Sequence, residues 1–118
     1  MEWIYLDNSA TTKPCAAAVE KITELLTERW GNPSSLHGLG FAAEEALSEA
    51  RRAAARSLSC TPEEVYFTSG GTESDNLAIF GAAYARQKRG RHLVTTQIEH
   101  PAVLNTMREL EREGFEVT

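Results

Sequence analysis

Two places in the 118-residue sequence bring together residue types that could bind or transform a ligand. The first is Val65-Tyr-Phe-Thr-Ser-Gly-Gly-Thr72, an apolar run, two glycines and the start signal of a helix. Such a junction gathers unpaired backbone N–H groups at the positive end of a helix dipole, an arrangement that suits a phosphate. It has neither the Gly-Lys-Ser/Thr of a Walker loop nor a GxGxxG, so it gives nucleotide binding little support. Glu73 and Asp75 occupy the first turn, where they stabilise the helix but would repel an anion that they faced. On the residues alone, an anion site at Gly71 and Thr72 and a plain tight turn both stay open.

The second place is His100, between an apolar run and Pro101. It should lie at the C-terminal edge of a sheet, where open α/β folds place ligands. An imidazole there could stack on a planar ligand, carry a proton, or serve the structure only. His37, in a loop between Leu36 and Gly38, is a weaker candidate, and His92 reads as the first residue of a strand. Cys15 stands near a helix start, where a thiol pKa can fall, although a small buried thiol explains it as well. Cys60 stands at a helix end, which disfavours a thiolate. The two cysteines are too far apart for a zinc or redox pair, no metal is expected, and no Ser/His/acid order or carboxylate pair stands out.

These residues need elements to position them. Residues 3–6 read as a brief strand or extended arm, followed by the turn-rich Asp7–Pro14. Val19, Ile22, Leu25, Leu26 and Trp30 recur at helical spacing and predict an amphipathic helix from about residue 14, stopped by Gly31-Asn-Pro33. A second helix is predicted over 41–58, with Ala43, Leu47, Ala50, Ala54 and Leu58 inward. One helical turn at 61–64 and a buried strand at 65–68 follow. A helix from 72 to about 88 would bury Leu77, Phe80, Ala83 and Tyr84 or Ala85; residues 92–98 form a strand. Pro101 opens a helix with Val103, Leu104, Met107 and Leu110 on one face, Gly114 closes it, and residues 115–117 begin another strand.

Strand and helix alternate from residue 62 onward, the signature of crossover units in a mainly parallel sheet, and the fold class is α/β. The sheet breaks off after about three strands, so the chain reads as the front part of a larger, truncated domain, with an arm at 1–13 and the domain's N-terminal part at 14–118. A hydrophobic share of 42% with 25% charged residues excludes a disordered chain. A net charge of −5 argues against nucleic-acid or anionic-membrane partners, and the basic run Arg86–Arg91 reads as a charged helix end. No targeting segment or membrane-spanning run is seen, and a cytoplasmic protein with reduced thiols is expected.

The motifs YLDNSATT (5–12), GNPSSLHGLG (31–40), FTSGGTESDNLAI (67–79) and IEHPAVLNTMRELEREGFEVT (98–118) together resemble the N-terminal third of cysteine desulfurases of the NifS and IscS type. The resemblance implies an aspartate aminotransferase-like large domain, pyridoxal 5′-phosphate as cofactor and conversion of L-cysteine to L-alanine. It also implies a homodimer and a sulfur-accepting scaffold protein that takes sulfur for iron–sulfur or other cofactor assembly. On this resemblance Gly71 and Thr72 hold the cofactor phosphate, and His100 is the catalytic histidine that stacks on the cofactor ring and assists proton transfer. Asn8, Ser9 and Ala10 lie near the substrate and His37 near the site entrance and dimer interface. The family's Schiff-base lysine, pyridine-pairing acid, substrate-carboxylate arginine and mobile-loop cysteine would come from the remainder of the enzyme chain. The 118 residues alone are therefore expected to be inactive. A selenocysteine lyase or other class V aminotransferase, and a non-catalytic phosphate-binding or dimerisation fragment, are the alternatives.

Overall fold

The computed structural model describes residues 4–118, so Trp3, at the head of the expected strand or arm, lies outside the described residues. Ile4–Leu6 pair in no ladder, and the chain then turns at Asp7, whose carbonyl accepts the N–H groups of Ala10 (3.1 Å) and Thr11 (3.3 Å). Two compact units follow along the chain, Met1–Val65 and Tyr66–Thr118.

The first unit contains α1 (Ala16–Thr27) and α2 (Gly38–Leu58). Helix-forming residues fill α1, a Lys21–Glu24 ion pair at 2.8 Å supports its exposed side, and it stops before Trp30. The expected apolar stripe is present in sequence, yet Val19, Ile22 and Leu26 are 50%, 53% and 71% exposed. Of that stripe only Leu25, beside Ala46 and Ala50 of α2, is half-buried, so the described residues cover the face only in part.

Helix α2 begins three residues earlier than expected because His37 caps it, Nδ1 accepting the Gly40 N–H at 3.3 Å. Its buried face is Ala43, Ala46 and Ala55, whereas Leu47 and Leu58 are exposed, a rotation of the predicted stripe. Small side chains allow that face to approach its neighbours closely. Gly40 is the extreme case: a Cβ there would run into the Ser35 carbonyl oxygen and the Ser35 side chain. Ser59 ends the helix in the left-handed region at φ 55°. The predicted turn is a 3-10 turn at Pro62–Glu64, with the Glu64 carboxylate accepting the Thr61 N–H at 2.8 Å. The Arg51 guanidinium donates to the Val65 carbonyl and ties this turn back to α2.

The second unit runs α3 (Gly71–Arg86), β1 (His92–Leu93), α4 (Pro101–Arg112), β2 (Glu116–Val117). The two strands are parallel neighbours, His92 beside Glu116 and Leu93 beside Val117, so α4 is the crossover of a β–α–β unit. The α/β class and parallel pairing hold. The strand expected at 65–68 pairs in no ladder among the described residues, and the strand expected at 92–98 is cut to two residues. A ladder needs a partner of matching length, and here the pairing extends only from Arg91 O to Thr95 N–H, which donates to Thr118 O at 2.9 Å.

Leu110 is fully buried and packs with Ala83 and Phe115, while Ile79, Phe80 and Leu93 press against them. Leu77, expected inside, is exposed. Tyr84 stacks on Phe80 at 5.7 Å and donates its hydroxyl to the Glu113 carboxylate at 3.0 Å. Gly114 takes φ +89° just past α4, as expected of a helix-ending glycine. Arg91 closes this end: its guanidinium donates to the carbonyls of Glu113 (2.7 Å) and Gly114 (3.2 Å) and lies 4.2 Å from the Phe115 ring centroid.

Because Leu110 has no exposed surface, Leu110→Ala should leave a cavity and destabilise the second unit by about 2–4 kcal/mol. Leu77→Ala should change little. Urea unfolding followed by circular dichroism checks both, and equal midpoints for the two variants would contradict the core assignment.

Candidate functional site

Helix α3 starts without a side-chain cap, since Gly70 is its N-cap. The first intrahelical bond runs from Ser74 N–H to Gly70 O at 3.1 Å, which leaves the N–H groups of Gly71, Thr72 and Glu73 outside the ladder. The turn before it is braced by hydroxyls: Thr68 Oγ1 donates to Gly70 O at 3.2 Å and lies 2.6 Å from Ser74 Oγ.

Of the two acids that could spoil an anion site, Glu73 alone lies in the first turn, and it is turned aside. Glu73 folds back so that its carboxylate accepts from the Ser69 hydroxyl (2.6 Å) and the Ser69 N–H (2.7 Å). Those two bonds hold its carboxyl below the usual carboxylate range, the hydroxyl contributing most and partial desolvation opposing them. The space beside the α-carbons of Gly70 and Gly71 is open. Amide donors, an exposed Thr72 hydroxyl and no side chain at two successive positions make a donor set that fits a phosphate monoester, whose oxygens only accept.

His100 is the N-cap of α4, its Nδ1 accepting the Ala102 N–H at 3.1 Å. The accepting Nδ1 places the proton of the neutral ring on Nε2, and the residue is exposed, so Nε2 is the ring atom able to hold or move a proton. Gly71, Thr72 and His100 thus occupy the first turns or cap of the two helices that pack together in the second unit.

What links those two starts was not read from the sequence. Asn76 Nδ2 donates to Thr72 O at 2.7 Å, and Asn76 Oδ1 accepts from Thr106 Oγ1 at 2.9 Å. Thr106 also approaches Ala102 O at 2.7 Å and is only 3% exposed. A signal was present: Ala102, Thr106 and Leu110 repeat every four residues, which puts a polar residue on the buried stripe of α4.

The weaker candidates lie in the first unit. Asn8 and Ala10 sit on the exposed turn after Asp7, where Thr12 Oγ1 donates to Asn8 O at 3.2 Å. His37 lines an open apolar hollow with Pro33, Leu36 and Phe41. Cys15 is exposed rather than buried and makes no cap bond, and Cys60 is half-buried; both thiols are free. Among the described residues no three His, Cys, Asp or Glu side chains form a metal-holding group, and no helix is long and apolar enough to cross a membrane.

The family model described as aminotransferase class-V matches residues 4–118. The chain belongs to the class-V aminotransferase family. Within it, the chain is 54% identical over 118 residues to the cysteine desulfurase IscS of Stutzerimonas stutzeri and 53% identical over 116 residues to that of Neisseria gonorrhoeae. Each alignment covers 98% of this chain and 29% of the relative. Among solved structures, a NifS-like protein superposes with a TM-score of 0.87 at 41% identity, covering 98% of this chain and 32% of that one. SspA in complex with cysteine superposes with a TM-score of 0.83 at 39% identity, covering 97% and 33%. The chain spans about three tenths of the length of these class-V relatives and resembles their NifS/IscS branch throughout.

The Ser69–Glu73 bonds carry a pH signature. A carboxyl depressed in the folded state contributes stability above its unfolded pKa and loses it as pH falls through the folded value. Ser69→Ala removes the stronger bond, so the Glu73 carboxyl should titrate at higher pH than in the wild type. Carbon-detected NMR titration measures this, and an unmoved midpoint would contradict the geometry.

Proposed function

We propose that this chain is the N-terminal portion of a pyridoxal 5′-phosphate-dependent cysteine desulfurase that converts L-cysteine to L-alanine and passes the sulfur on. The observation that carries the reading is the uncapped start of α3, where free amides and Thr72 are available and Glu73 is tied away at Ser69. Likeness to proteins named cysteine desulfurase IscS, and to a structure described as a complex with cysteine, supports that reading. In it, residues 1–13 are an arm and 14–118 the first part of the cofactor-binding large domain.

The bound cofactor supplies an electron sink that stabilises negative charge developing on the substrate carbon. The chain's own residues bind and orient. Amides of Gly71 and Thr72 and the Thr72 hydroxyl hold the phosphate, where the helix dipole favours its charge. His100 offers a flat ring to the cofactor plane and a proton at Nε2, kept in one tautomer by the Ala102 N–H. Asn8, Ala10 and His37 stand near the substrate and the entrance. The remainder of the enzyme supplies the lysine and the sulfur-accepting cysteine, a homodimer is the working form, and a scaffold protein in the cytoplasm receives the sulfur as persulfide. The 118 residues alone do not turn over L-cysteine.

The test compares the chain alone with the chain mixed with the remainder of a full-length IscS-type enzyme, reading visible cofactor absorbance, alanine formation and, with an added thiol reductant to reduce the persulfide, sulfide release. Colour and turnover should appear on mixing. A folded mixture that binds no cofactor would overturn the reading in favour of a non-catalytic role. In the mixture, His100→Asn keeps a capping acceptor at α4 yet should lower alanine formation by about 100-fold or more. Thr72→Ala should weaken cofactor binding by about tenfold while sparing the helix.

A further inference from the structure

We propose that Asn76 and Thr106 are a positioning pair that sets the α3 start bearing Gly71 and Thr72 against the α4 start bearing His100. The inference rests on the reading above, in which both starts hold one ligand. The bonds form an unbroken line. Thr72 O accepts from Asn76 Nδ2 (2.7 Å), Asn76 Oδ1 from Thr106 Oγ1 (2.9 Å), Ala102 O from Thr106 Oγ1 (2.7 Å), and His100 Nδ1 from Ala102 N–H (3.1 Å).

Helix-to-helix attraction does not require this arrangement. Back-bonding of a threonine hydroxyl to the carbonyl four residues earlier is common and explains Thr106 to Ala102. It does not explain the second acceptor across the helix boundary, which makes the single Thr106 proton serve two oxygens. A valine at 106 would fill the same volume without burying a hydroxyl, and burying one is unfavourable unless it is bonded. What the polar pair adds is direction. Apolar packing between Ala83, Leu110 and Phe115 tolerates small slides, whereas hydrogen bonds weaken steeply with misalignment. One end of the line falls on the Thr72 carbonyl and the other on the His100 ring nitrogen, so a shift of one helix on the other would be felt at both.

Thr106→Val removes the donor at constant volume, and Thr106→Ser keeps it. Two measurements separate the outcomes: residual dipolar couplings in the unliganded chain, which report the α3–α4 orientation, and the Kd for pyridoxal phosphate of the complemented enzyme. The expected result is a changed orientation and about tenfold weaker binding in Thr106→Val, both restored in Thr106→Ser. Unchanged orientation and Kd in Thr106→Val, or failure of serine to restore them, would overturn the proposal. If the wild type binds no pyridoxal phosphate while the orientation still depends on the Thr106 hydroxyl, the pair stands and the functional reading falls. Should Thr106→Val not fold, Asn76→Ala, at a half-buried position, carries the same expectations.

Discussion

A helix start presents amide groups that the helix itself cannot accept, and the way this chain meets that deficit at each start organises much of what surrounds it. At α2 and α4 a histidine ring nitrogen takes the role usually given to a serine or aspartate oxygen. At the 3-10 turn a glutamate reaches back to Thr61. At α3 nothing is supplied, and the nearest acid is drawn off to Ser69. Helix α1 also lacks a side-chain cap, but it follows Pro14 and Cys15 and lacks the paired glycines that give a ligand access to the backbone. The helices that carry the open start and the histidine-capped start pack on each other, and Asn76 and Thr106 bond across that packing.

That packing joins two kinds of contact with different tolerances. Leu110, Ala83 and Phe115 form a small apolar centre that draws the helices together without dictating a single geometry. The hydroxyl and amide of Thr106 and Asn76 dictate one. Direction between α3 and α4 and cohesion of the unit are therefore carried by separate residues.

Much of this could be read in advance. The four helices follow from periodicity and from local stop signals such as Gly31-Asn-Pro33 and Gly114, which need no knowledge of distant residues. Gly71, Thr72 and His100 stand at helix starts for equally local reasons. Less legible was anything that depends on partners remote in sequence. Val65–Thr68 has the composition of a strand, but composition cannot provide a ladder. The stripe of α1 is amphipathic, yet its burial depends on cover that the described residues provide only at Leu25. The early start of α2 was hidden because histidine is not a usual cap, and Thr106 because a lone polar residue on an apolar stripe does not announce its partner.

The contact that Arg91 makes with the end of α4 bears on the register of the two parallel strands. A slip by one position would exchange inward Leu93 for outward His92. Arg91 immediately precedes that pair, and its own carbonyl accepts the Glu116 N–H at 2.8 Å. Its planar guanidinium grips two carbonyls and an aromatic face at once, so a slipped strand would forfeit all three together. A lysine could follow the strand to a new position. The arginine acts instead as an indexing pin, and the alignment of the parallel strands is set from outside the ladder.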